Sequence, residues 1–447
     1  MCGWVKLDGH SAAATRREAA VRAGCAVRLR FLPLSTTGFA TVNPIEIRSG
    51  HDEPLLFEPE SGTEVVECAG PEGMSGSVAR EVVRAAVTAP ADGPPLDAHV
   101  VPGDRAVVAV VGAVPEADAV LAAITDRLRT AGVEAADTTA LFAEPLEPLR
   151  PRAALATATA EGFGEVAMFD PANDAATAYL VADESGNPLY LARGLVDADV
   201  VVAVGTWGWN AAIGGRSLEG ELWPTFGRRQ CRLDLVRSLA RRGRHALADW
   251  RTGMQEITWQ LGVCASLRLV PGRQGTLHAA FFGLPDSAAR QARAAAAAWC
   301  PQIDDPVELS IASLSDPHAD FGCITRAVAA AGRVTQPGGT ICVVSRVTEG
   351  PGVIFLRWRQ GAPLEQLVHE AVATGDPALI ADALQTRLFA RALGERRLVL
   401  LSDIDEATVE ELSFGHAATA DVVDRLAHRA DSIAVLHEAD LMLPNAG

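Results

Sequence analysis

The most constraining feature of the chain is GDRAVVAVVG, residues 103–112, an apolar run with turn residues at both ends. A strand with one wet face alternates apolar and polar residues, so an unbroken run predicts a strand covered on both faces, as in a parallel sheet. The helix that follows supports this reading. ADAVLAAITDRLRTAGV places Val120, Leu121, Ile124 and Leu128 on one face and stops at Gly132. Together the two segments make a β-α unit of a parallel sheet.

Further units follow the same plan. GEVAMFD predicts a strand ending at Asp170, and DESGNPLYLARGLVDADVVVAVGT predicts a turn that includes Asp183, a short strand, a short helix and a buried strand. CRLDLVRSLARRGRHALADW predicts one amphipathic helix, and ASLRLVPGRQGTLHAAFFG a hairpin turning at PGRQG. In the C-terminal third VELSIAS, GGTICVVSRV, RRLVLLSD and SIAVLHEA are four strands alternating with helices. The expected fold class is α/β, two domains with parallel-type sheets and a cleft between them. The expected division is residues 1–265 and 266–447, the boundary falling near the hairpin and the helix QARAAAAAW. The segment AVRLRFLPLSTTGFATVNPIEIRSG predicts short strands and turns.

Length and charge narrow the partners. A chain of 447 residues, 49% of them apolar, buries sizeable cores, and its net charge of −17 repels phosphate backbones and anionic membranes. Nucleic acid is therefore not an expected partner. The eight cysteines form no C-x-x-C and have no histidine at zinc-ligand spacing, which points to reduced packing residues. No run reaches the roughly 20 apolar residues of a membrane span, and MCGWVKLDGHSAAATRRE has no apolar leader core. The expectation is a soluble, cytoplasmic protein. Lys6 is the one lysine, so chemistry needing an amine in the body of the fold must do without it.

The segment GTWGWNAAIGGRSLEGELWPTFG, residues 205–227, lies past the end of the strand DADVVVAV. Ligands of open α/β sheets collect at such ends. Gly214, Gly215, Arg216 and Ser217 form a turn able to hold an anion through backbone N–H groups and a guanidinium; the plainer reading is a tight turn with a solvated arginine. Trp207, Trp209 and Trp223 either stack on a planar ligand or plug the gap between the domains. His318, in SDPHADF after VELSIAS, is an acid-base candidate or an ordinary surface histidine. Asp170 and Asp183 fit capping or turn roles. The chain has no G-x-G-x-x-G after a strand, no P-loop and no nucleophile elbow.

The order of several segments resembles the nickel-pincer lactate racemases. In the first half these are PPLDAHVVPGDRAVVAVV, the helix end RTAGV, and NPLYLARGLVDADVVVAVG with its Gly-Gly turn; in the second half, VTQPGGTICVVSRVTEGPG and LFARALGERRLVLLSDIDEATVEELSF. The resemblance runs from about residue 78 to the C-terminus. It implies a first domain holding a nickel pincer nucleotide, a second domain closing over it, and hydride chemistry on a 2-hydroxy acid with paired histidines. A lysine would carry the cofactor. This sequence departs from the pattern at those positions: Gly214, Gly215, Arg216 and Ser217 stand at the lysine turn, Gly112 and Ala113 replace an arginine-bearing stretch, and Leu141, Phe142, Ala143 and Glu144 stand for Thr-His-Arg. Met168, Phe169 and Asp170 replace an Asn-His-Asp triplet, and the histidine before the turn falls among Trp207, Trp209 and Asn210. A C-terminal lysine becomes a residue of DPHADF, His318 by position. The implied function is a racemase or epimerase fold for hydroxy acids without standard lactate racemisation. The alternatives are a protein that binds a small anion or nucleotide without turnover, or a regulatory subunit. A small anionic partner is expected, the catalytic residues are open, and no lysine can tether the pincer cofactor.

Overall fold

The computed structural model describes residues 44–60, 62–143, 162–182, 186–210, 215–216, 222–263 and 265–446, all within one structural unit spanning Val42–Gly447. In chain order the strands are β1 Ile45–Ile47, β2 Leu55–Phe57, β3 Glu64–Cys68, β4 Ala106–Val111, β5 Thr138–Ala143, β6 Glu165–Met168, β7 Thr177–Ala182, β8 Pro188–Ala192, β9 Val200–Thr206 and β10 Trp209–Asn210. They continue as β11 Gly215–Arg216, β12 Ser266–Pro271, β13 Leu277–Gly283, β14 Gln302–Ile303, β15 Val307–Ser313, β16 Thr335–Val344, β17 Arg397–Leu401, β18 Gly415–His416, β19 Ser432–Leu436 and β20 Asn445–Ala446. Two six-stranded sheets carry the architecture, and helices and short hairpins surround them.

The first sheet has the order β13-β12-β9-β4-β5-β6, parallel except for the antiparallel β12-β13 hairpin. Its central strand explains the unbroken apolar run. All six residues of β4 are buried, and they alternate between two cores. Ala106, Val108 and Val110 pack in one with Val83, Leu121, Ile124 and Leu128 of helices Gly76–Thr88 and Ala117–Thr130. Val107, Ala109 and Val111 pack in the other with Leu191, Leu195, Phe226 and Ile257. A strand sandwiched this way needs carbon on every side chain.

The second sheet has the order β18-β17-β16-β15-β19-β3 and is parallel throughout. Its four middle strands are the ones expected from the C-terminal third. The edge strand β3 comes from near the other end of the chain, Glu64 pairing with Ser432 and Cys68 with Leu436. On one face Ile311, Cys342, Val344 and Val435 meet Ile47 and Phe57 of the β1-β2 hairpin; on the other Ala312, Val343, Leu400 and Leu436 meet Phe321, Ile324, Val328 and Phe389.

One expected helix is two. The segment after residue 228 forms Arg229–Arg242 and Ala246–Gln260, broken at Gly243, whose φ of 56° lies in the left-handed region that glycine tolerates best. The amphipathic pattern continues across the break, which hides it from periodicity. Cys68, Cys323 and Cys342 are buried free thiols, and burial pushes Cys68 up to about 11 and Cys342 up to about 12. None of the helices among the described residues is long and apolar enough to cross a membrane.

Candidate functional site

The carboxyl ends of the two sheets open on two adjoining cavities of about 460 and 660 Å³, which share Arg48, Gln274, Ser315 and Glu438. Ala113, Val114 and Pro115 beyond β4 and Thr206 and Trp207 at β9 wall the larger cavity from the first sheet; Ser315, Asp316 and Pro317 beyond β15 wall it from the second. The smaller cavity is more heavily charged. Glu67 and Glu72, Arg273, and the pair His437 and Glu438 line it. The expected cleft thus lies where strand ends of both sheets converge.

Glu438 joins the two sides. It sits just past β19 with only 7% of its surface exposed. Its Oε1 accepts from the backbone N–H of Gln274, in the β12-β13 turn, at 2.8 Å and from the Ser315 hydroxyl, beyond β15, at 2.9 Å. Burial raises its carboxyl above the ordinary range, the neighbouring Asp440 adds to the rise, and the two hydrogen bonds and Arg273 oppose it. Asp440, which lines the larger cavity, is also pushed up by burial against the pull of Arg326, whose Nη2 lies 3.4 Å from Oδ2. Next to Glu438, His437 Nε2 lies 2.9 Å from Glu67 Oε1. Arg273 pairs with Glu72 at 2.6 Å, and Arg48 reaches Glu46 at 4.0 Å.

Of the residues singled out from the sequence, Trp207 lines the larger cavity while also packing against the core of the second sheet. Its backbone N–H donates to Leu269 O at 2.7 Å, holding the end of β9 beside β12. Trp223 is elsewhere. It stacks on Trp250 with centroids 4.8 Å apart and donates its indole N–H to Cys231 Sγ at 3.2 Å. Gly214, Ser217, Asp183 and Lys6 lie outside the described residues. Arg216 and Trp209 face each other in the register of the β10-β11 hairpin, Gly215 opposite Asn210. His318 is exposed, its backbone N–H donates to Asp316 Oδ1 at 2.8 Å, and it lines neither cavity, although its neighbour Pro317 does. Asp170 closes a turn by accepting from Ala172 N–H at 2.9 Å.

The residues at the ends of β4 and β9 do not fit a nickel pincer nucleotide. Ala113, Val114, Pro115, Thr206 and Trp207 offer no imidazole, thiolate or amine, and the Thr206 hydroxyl is committed to the Ala113 carbonyl at 2.8 Å. Residues 205–227 contain neither lysine nor histidine. Glu438, His437, Glu67 and Arg48 are not among the residues that the sequence pattern singles out. A signal existed for two of them: HEAD follows the strand SIAVL directly, the same strand-end position that singled out DPHADF.

Two mixed α/β layers with a cleft at their carboxyl ends define the class. Among solved structures, the lactate racemase apoprotein from Thermoanaerobacterium thermosaccharolyticum matches with a TM-score of 0.68 and 16% identity, covering 90% of this chain and 99% of that one. A crystal structure of a protein from Thermotoga maritima matches with a TM-score of 0.56 and 11% identity, covering 85% and 100%. The chain therefore has a lactate racemase-like fold. No protein-family model matches the sequence, and no curated protein does.

Proposed function

We propose that the chain is a divergent lactate racemase-like protein that holds a small anionic molecule, of hydroxy-acid size, in the cleft between its sheets, and that it does not racemise lactate through a nickel pincer. The observation that carries this reading is the exchange of chemistry at the strand ends. The first sheet brings carbon walls and a committed hydroxyl, while the guanidiniums of Arg48 and Arg273 line the smaller cavity beside Glu46 and Glu72, with which they pair. Arg216, in the hairpin beyond β9, is the further anion contact, beside glycines that let a backbone approach closely. A second reading, binding of a small anion or nucleotide without turnover, as a carrier or regulatory subunit, draws on Trp207, whose half-buried indole offers a flat wall to a planar ligand.

Chiral chromatography of D- and L-lactate incubated with the chain and supplied cofactor is expected to show no interconversion above background; rapid interconversion overturns the reading. For the anion, a hydroxy acid selected by thermal shift is titrated by calorimetry. Loss of a charge-assisted bond costs about 1.5–3 kcal/mol, so Arg216→Ala and Arg48→Ala are each expected to weaken binding at least roughly tenfold. Arg216→Lys should restore only part of the loss, because an ammonium lacks the planar fork of donors. Unchanged affinity in both alanine variants sinks the anion site.

A further inference from the structure

Two consecutive residues, His437 and Glu438, line the same 460 Å³ cavity. Along a strand, consecutive side chains point to opposite faces. Here the chain leaves β19 and Glu438 adopts a left-handed φ of 50°, a conformation costly for a residue with a Cβ. Gln274, whose N–H donates to Glu438, is left-handed too, with φ 59°. Two strained residues in contact at the meeting point of the sheets place both titratable side chains on one wall.

Their partners divide the roles. With Nε2–H donated to the Glu67 carboxylate, the His437 ring is held in the tautomer whose Nδ1 is the proton acceptor. Both donors to Glu438 converge on Oε1, which leaves Oε2 to carry a proton, and burial favours the neutral carboxyl. Arg48 lines both cavities, where its guanidinium is placed to pair with the carboxylate of a small ligand.

We propose that His437, oriented by Glu67, and Glu438 form a proton-transfer pair acting on a 2-oxo acid, a carbonyl compound that carries a carboxylate. The proposal rests on the reading of the cleft as a small-anion site. Nδ1 of His437 takes a proton from the carbon next to the carbonyl, and the C–H electron pair becomes the carbon–carbon double bond of the enol. The carbonyl π pair moves to its oxygen, which takes the proton from Oε2 of Glu438. The products are the enol, an imidazolium paired with Glu67, and a Glu438 carboxylate still held by Ser315 and Gln274. The imidazolium exchanges its proton with solvent and delivers one back to carbon, while the enol O–H returns its proton to Oε2 of Glu438 as the carbonyl re-forms. His437 and Glu438 are restored, with no oxidant or reductant consumed.

The test is proton NMR in deuterium oxide with pyruvate and 2-oxobutyrate as probes and the full chain as catalyst, with binding of the same probes followed by calorimetry. The wild type is expected to wash deuterium into C3 faster than buffer alone. His437→Gln should lower the rate by about 10²-fold or more while still binding the probe. Glu67→Gln, which acts by positioning, should lower it less. In wild type the rate should fall as pH rises through the raised Glu438 pKa, because the acid form is then lost; Glu438→Gln, which keeps an acceptor for Gln274 and Ser315, should slow exchange and abolish that alkaline limb. Binding without exchange, or wild-type exchange in His437→Gln, overturns the proton-transfer pair and leaves the anion site standing. Failure of both probes to bind overturns both.

Discussion

Trp299 shows how one side chain fixes the cleft wall. It is fully buried in the core of the second sheet, its indole N–H donates to Pro271 O at 2.7 Å, and Pro271 ends β12 just before the turn that carries Gln274. A Cβ on Gly70 would lie 2.2 Å from the ring, so this glycine is set by close approach. Trp299→Ala is expected to cost about 3–5 kcal/mol. Gly70→Ala forces the ring aside and is expected to cost about 1–3 kcal/mol. Trp299→Phe keeps most of the packing but leaves the Pro271 carbonyl without the indole donor, at about 1–3 kcal/mol. Urea midpoints for the three variants check the order; a Gly70→Ala midpoint equal to wild type shows that the ring has room to move.

At the scale of elements, the helix Gly76–Thr88 is capped from outside. Its own N-cap, Ser75, makes no side-chain bond, and Gly76 N–H instead donates to Glu116 Oε2 at 2.8 Å. Glu116 precedes the helix Ala117–Thr130 in a left-handed conformation, φ 51°. One carboxylate thus ties two neighbouring helices of the first sheet. Glu116→Ala is expected to lose about 0.5–2 kcal/mol, read as a lower urea midpoint, and Glu116→Gly, which removes the cap but relieves the strained φ, should lose less. Equal losses in the two variants argue against the strain. These elements also show what a sequence discloses. AVVAVV and the apolar face of ADAVLAAITDRLRT were legible because burial on every side writes itself into composition. The Glu116 cap, the pairing of β3 with β19 and the break at Gly243 were not, since each depends on a partner far along the chain or on one dihedral. The same holds for the candidate site: strand ends located it, but Glu67 and Arg48 reach it through the fold alone.

Among the described residues of the whole molecule, three buried or half-buried carboxyls, Glu438, Asp440 and Asp382, have pKa values raised by burial. A carboxyl with a raised folded pKa binds its proton more tightly when folded. Its stabilisation is therefore full below the ordinary carboxylate range and is lost as pH rises through the raised value. The exposed carboxylates lowered by neighbouring donors, Glu81, Asp199 and Glu370, act in the opposite sense but are screened by solvent. The chain's excess of acidic groups, 56 against 39 basic, adds a second reason for stability to decline with pH, because self-repulsion grows as they ionise. Salt separates the two causes. Repulsion between exposed charges fades when the screening length shrinks to about 3 Å at 1 M, whereas the cost of ionising a buried carboxyl persists. Melting temperatures taken from about pH 5 to about pH 8 should fall with rising pH, keep much of that slope in 1 M salt, and lose part of it in Glu438→Gln. A slope that vanishes in salt, or that Glu438→Gln leaves unchanged, assigns the decline to surface charge and removes the burial of Glu438 as its source.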